Sequence, residues 1–111
     1  MQFAVITRAN TSANVPPPVA IAMAQKTFEL FVSGKDSRLK AVYPFAGERA
    51  GLLIIDVQSG EELQEVLSSL PFAPVVETEI HALASIQSAL KSIENAQRQM
   101  AEMGPALAGS R

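Results

Sequence analysis

A chain of 111 residues, 48% hydrophobic and carrying a net charge of −2, has the length of one domain and can bury about 60–70% of its unfolded surface. It has no basic cluster to attract nucleic acid or anionic lipid, and no cysteine for disulfides, thiolate nucleophiles or zinc–thiolate sites. The opening "MQFAVITRAN" lacks the basic region and long apolar core of a signal peptide, and no apolar run approaches the ~20 residues of a membrane span, so a cytoplasmic location is expected.

Gln2–Thr7, "QFAVIT", is short and β-branched and predicts a first strand. The polar, small residues "RANTSANV" suit a loop. Pro16, Pro17 and Pro18 then restrict the chain, and a helix can start at the last of them, because a first-turn proline lacks only an N–H that has no intrahelical partner. Ile21, Ala24, Phe28 and Phe31 fall near one face of that helix, and Ser33-Gly34 ends it.

Arg38–Phe45 alternates as a second strand, with Pro44 expected at an edge or strand end. "AGERAG" reads as a turn, and "LLIIDV" as a third strand whose unbroken apolar run predicts cover on both faces. Ser59 is placed to N-cap a second helix, with Glu62 completing a capping box. Glu61 and Glu62 suit the positive end of its dipole, and Leu63, Val66, Leu67 and Leu70 form its apolar stripe. Pro71 and Pro74 stop it before a fourth strand, "PVVETEIHAL". The order β-α-β-β-α-β is the ferredoxin-like, α+β arrangement with an antiparallel sheet, here over residues 1–84. A third helix is expected over 85–103, carrying Ile86, Leu90, Ile93 and Met100 at helical spacing and packing on the domain or on a partner subunit. A flexible tail is expected over 104–111.

The segment "IIDVQSGEELQEVLSSLPFAPVVETEIHALA" resembles the second half of the muconolactone delta-isomerase family. The resemblance rests on Asp56, Val57 and Ser59, on Glu62-Leu63 and Leu67-Ser68, on Leu70-Pro71, Pro74 and Glu79, and on Leu83-Ala84, without a gap. The first helix departs from the family's, since it offers only Lys26 and Glu29 as charged residues. The resemblance implies a dimeric α/β barrel in which two sheets face one another, with a pocket between sheet and helices or between the sheets. It also implies a proton transfer between carbons of a small unsaturated lactone or carboxylate, with no cofactor and no metal. Two helices cover one face of a four-stranded sheet, so the other face needs a partner, and a homodimer or larger self-assembly is expected.

Strand parity puts Glu77, Glu79 and His81 on one face of the fourth strand and Val76, Thr78 and Ile80 on the other, toward the helices. A histidine side chain can shuttle a proton, which makes His81 a candidate, and Glu79 matches an acid of the family pattern, so these two are the candidate catalytic residues. Arg8 can hold a substrate carboxylate through a bidentate contact and Tyr43 can donate to an enolate oxygen. Each also has a plainer role: an exposed histidine at a strand end, an acid paired across the sheet, a surface arginine, a tyrosine packed with its hydroxyl at the rim. One histidine and no cysteine leave no spaced metal-ligand motif. The alternative reading is a non-catalytic oligomeric or small-ligand-binding barrel, which the acid-poor first helix favours.

Overall fold

The structure, a computed structural model, describes residues 1–103; the tail expected over 104–111 lies outside the described residues. Its elements are β1 (Gln2–Ala9), α1 (Pro17–Ser33), β2 (Leu39–Pro44), β3 (Ala50–Asp56), α2 (Gly60–Ser69), a 3₁₀ turn at Ala73–Val75, β4 (Val76–Ala82) and α3 (Ile86–Glu102). The strands form one sheet in the order β2-β3-β1-β4, with each neighbouring pair antiparallel. This is the expected ferredoxin-like α+β fold.

Local chemistry sets the boundaries. Pro16 sits at the N-cap of α1 and the helix begins at Pro17, one residue before the expected start. It ends at Gly34, whose φ of 66° is a left-handed conformation open to glycine at little cost. The Ser59 hydroxyl accepts from the Glu62 N–H at 3.2 Å. The reciprocal bond is displaced by one residue from the usual capping box: the Glu62 carboxylate accepts from the Gln58 N–H at 3.0 Å. Arg38 ties the entry of β2 to this corner through Asp36 at 2.8 Å and Glu62 at 3.7 Å. The hydrogen bonds from Arg38 hold the Asp36 carboxyl below its ordinary value.

Period-two alternation carries the core. Phe3, Val5 and Thr7 of β1 and Leu53 and Ile55 of β3 are buried under the helices. Phe31 of α1 and Leu63 and Val66 of α2 pack down onto the same core. Leu52 and Ile54 point to the other side and are only half-buried. The apolar run of β3 therefore does not have both faces covered within one chain; the helices cover one. β1 also runs two residues further than expected, which brings Arg8 into the sheet opposite Ala50 and Glu77.

Thr27 is fully buried in the middle of α1. Its Oγ1 donates to the Met23 carbonyl at 2.9 Å and accepts from the Phe72 N–H at 3.1 Å, which pins the chain leaving α2 onto α1. Thr27→Val keeps the shape but strands the buried Phe72 N–H. It is expected to cost about 1–3 kcal/mol in urea unfolding, whereas Thr27→Ser, which keeps the acceptor, is expected to lose less. Equal losses for the two substitutions would show that the hydroxyl bond contributes nothing.

Candidate functional site

Two separate regions carry functional groups, one on each side of the sheet. The first is the open face. Register across the strands places Tyr43, Leu52, Ile6 and Glu79 in one row and Ala41, Ile54, Ala4 and His81 in the next. All four residues singled out from the sequence thus lie on this face, around an apolar centre of Ile6, Leu52 and Ile54. They do not converge on one point, since Tyr43 and Glu79 end a row three strand spacings long, about 14 Å.

Glu79 and His81 are the pair the fold does join. His81 Nε2 lies 2.6 Å from Glu79 Oε2, and both side chains are more than half exposed. The hydrogen bond from His81 holds the Glu79 carboxyl below the ordinary glutamate value of 4.5, with a smaller contribution from the charge of Arg8. Arg8 itself is bound at 2.9 Å to Glu48 of the β2–β3 turn. Tyr43 is 58% exposed. Glu77 is exposed on the same face, and Asp56 accepts from the N-terminal amine at 3.1 Å rather than facing any cavity.

Because Glu79 is depressed in the folded chain, its contribution to stability is present above the unfolded glutamate value and is lost as pH falls through the lower folded value. The window therefore lies below pH 4.5. An NMR titration of the Glu79 carboxyl is expected to give a midpoint below that of the free side chain, moving back toward it in His81→Ala. An unshifted midpoint in the parent, or one unmoved by the substitution, counts against the pair.

The second region is a cavity of about 680 Å³ on the helix side, between α1 and the end of the sheet. That volume lies within the range of small-molecule sites. Its floor is Thr7, Gly51 and Pro44, one row of the covered face, and Phe72 and Val75 close one wall. A Cβ on Gly51 would sit 3.2 Å from the Tyr43 carbonyl oxygen, so this position keeps two strands close and the floor free of side chain. Along α1, Ala20 and Ala24 leave room, and Phe28 packs edge-on against Phe72 with ring centres 6.4 Å apart.

The charged residues lining this cavity are Glu29, Glu48 and Arg49. Glu48 is held by Arg8. Glu29 accepts from the Gln25 amide at 3.0 Å, and among the described residues neither Glu29 nor Arg49 takes part in an ion pair. Sequence reasoning missed all three. The available signals were an adjacent acid and base in "AGERAG" and the lone acid of the first helix, and neither reveals that α1 and that turn line one cavity. Glu79, His81, Arg8 and Tyr43 do not line the cavity. No group of three metal-binding side chains exists among the described residues, and no described helix is long and apolar enough to cross a membrane.

The family model for muconolactone delta-isomerase matches residues 1–89. The chain belongs to the muconolactone delta-isomerase family. A crystal structure of muconolactone isomerase superposes with a TM-score of 0.63 at 24% identity, over 77% of this chain and 90% of that one; the likeness shows the shared fold. A crystal structure of protein Atu4242 from Agrobacterium tumefaciens has 14% identity and a TM-score of 0.36 over 78% of this chain and 96% of that one, too distant to add to the argument. No curated protein matches the chain. The family match takes in α1, where the sequence departs from the family's pattern, and its range contains both faces of the site.

Proposed function

We propose that this member of the family binds a small, largely apolar unsaturated lactone or carboxylate in the cavity between α1 and the sheet, and moves a proton between two of its carbons without a cofactor. The observation that carries the proposal is the cavity itself: an open, largely apolar cleft of small-molecule volume, with acids and one arginine on its lining. Glu29, without a cation partner among the described residues, takes the proton from the acidic carbon and returns it to the other end of the unsaturated system. The Gln25 amide already donates to Glu29 and orients it. Arg49 holds the carboxylate of the substrate and steadies the enolate charge that develops while the proton is on the enzyme.

Self-association through the open face belongs to the same reading. Ile6, Leu52 and Ile54 form an apolar centre on that face, and a second copy laid sheet to sheet would cover it. A specific contact favours one further reading, proton exchange by the joined Glu79–His81 pair in a chamber closed by that second copy. Arg8 and Tyr43 would then be the binding groups.

Purified protein incubated with muconolactone, with the isomer followed spectroscopically, tests the chemistry. Turnover that Arg49→Ala weakens mainly through KM supports the cavity. No turnover at high enzyme concentration, together with no calorimetric binding of the lactone, removes this substrate.

A further inference from the structure

α3 buries none of its residues. Ile86, Leu90, Ile93 and Met100 are each 53–66% exposed and, with Gln97, fall within an arc of about 80° at 100° per residue. A helix of 17 residues standing free in water is only marginally stable, and ordinarily holds its form by packing such a stripe against something. The charges show what. Lys91, Glu94, Arg98 and Glu102 follow one another along one flank, and among the described residues none of them is in an ion pair within its own chain. Two positive and two negative groups give neither an anionic lipid surface nor a nucleic acid anything to recognise. The order plus, minus, plus, minus read backwards is its own complement.

We infer that α3 pairs antiparallel with α3 of a second copy of this chain, about a twofold axis between Ala96 and Gln97. That midpoint sets Lys91 opposite the partner's Glu102 and Glu94 within one residue of the partner's Arg98, with the reciprocal pairs on the other half. The same midpoint sets Ile93 against the partner's Met100. Stripe and charges therefore register on one axis to within one residue. A parallel pair would place the charged flank against the other flank of its partner, which carries Ala89 and Ala96. This interface is independent of the ligand reading and of the sheet face, and it adds a second surface through which copies join.

The chain has no cysteine, so single cysteines report the geometry directly. Gln97→Cys is expected to cross-link between copies with a short bis-maleimide. Ala89→Cys, whose two copies would lie about 20 Å apart along the pair at 1.5 Å per residue, is expected not to. In sedimentation experiments Glu94→Arg and Arg98→Glu are each expected to weaken the association about 5- to 10-fold, as the loss and reversal of exposed ion pairs does. The double variant is expected to restore it. Cross-linking at both positions means a parallel pair and overturns the proposal. So does no cross-link at Gln97, whether α3 folds back on its own domain or binds phosphatidylglycerol vesicles instead. A double variant that is as weak as the singles also overturns it.

Discussion

Leu53→Ala is expected to lower the unfolding free energy by about 2–5 kcal/mol, among the largest effects of a single substitution in this chain. Leu53 is 0% exposed. It sits on the central strand β3, flanked on the covered face by Val5 of β1 and Val42 of β2. Those neighbours are held by sheet hydrogen bonds and cannot close over the space left by the missing atoms, so the loss includes a cavity as well as the transfer of the side chain. Leu52, one residue earlier, supplies the contrast. It points to the open face and is half-buried, so Leu52→Ala is expected to change the monomer's stability much less. If a second copy covers that face, the Leu52 effect appears as a change in how the unfolding midpoint depends on protein concentration. Urea unfolding of both variants at two concentrations measures this. A Leu53→Ala loss under about 1 kcal/mol would mean that the centre of the core lies elsewhere.

The difference between these adjacent leucines also marks what the sequence could reveal. Elements set by local chemistry were legible: Ser59 as a cap, Gly34 past the end of α1, and the parity that places Glu77, Glu79 and His81 on one face. Each depends on a few neighbouring residues and on one period. The apolar run "LLIIDV" predicts cover on both faces but not what supplies it, because a strand reads the same whether its second face meets a helix or another subunit. The length of β1 was missed for a related reason. Arg8 and Ala9 look like loop, and only their pairing to the β2–β3 turn and to β4 makes them strand.

The cavity was illegible for a stronger reason. It brings together α1, the β2–β3 turn and the 3₁₀ turn after α2, segments far apart in the chain whose meeting depends on the crossing of α1 over the sheet. Parity could place Glu79 beside His81, two residues apart on one strand. No local pattern could place Glu29 and Arg49 on the lining of one cavity. The family resemblance lay mainly in caps, core leucines and turn prolines, so it pointed to the architecture and left the chemical groups to be found in three dimensions.

Glu29→Gln is the substitution with the largest expected effect on activity. The amide nearly matches the carboxylate in size and can keep its contact with Gln25, so the fold and the apolar walls stay as they are. It cannot accept a proton from carbon, however, and removing a positioned general base typically costs about 10²–10⁴ in rate. The loss is expected in kcat, with KM little changed, because in the proposed reaction Glu29 acts on the reacting carbon while Phe28, Phe72 and Arg49 hold the ligand. His81→Ala is expected to leave kcat within about a few-fold of the parent, since the His81–Glu79 pair faces away from the cavity and touches only the open face. Initial rates of both variants on muconolactone, with calorimetric binding measured in parallel, separate the two sides of the sheet. If His81→Ala abolishes turnover and Glu29→Gln does not, the proton is exchanged on the open face and the cavity between α1 and the sheet only binds. If Glu29→Gln retains full kcat while Arg49→Ala still weakens binding, the cavity holds the substrate and the base belongs to Glu48, the remaining acid on its lining.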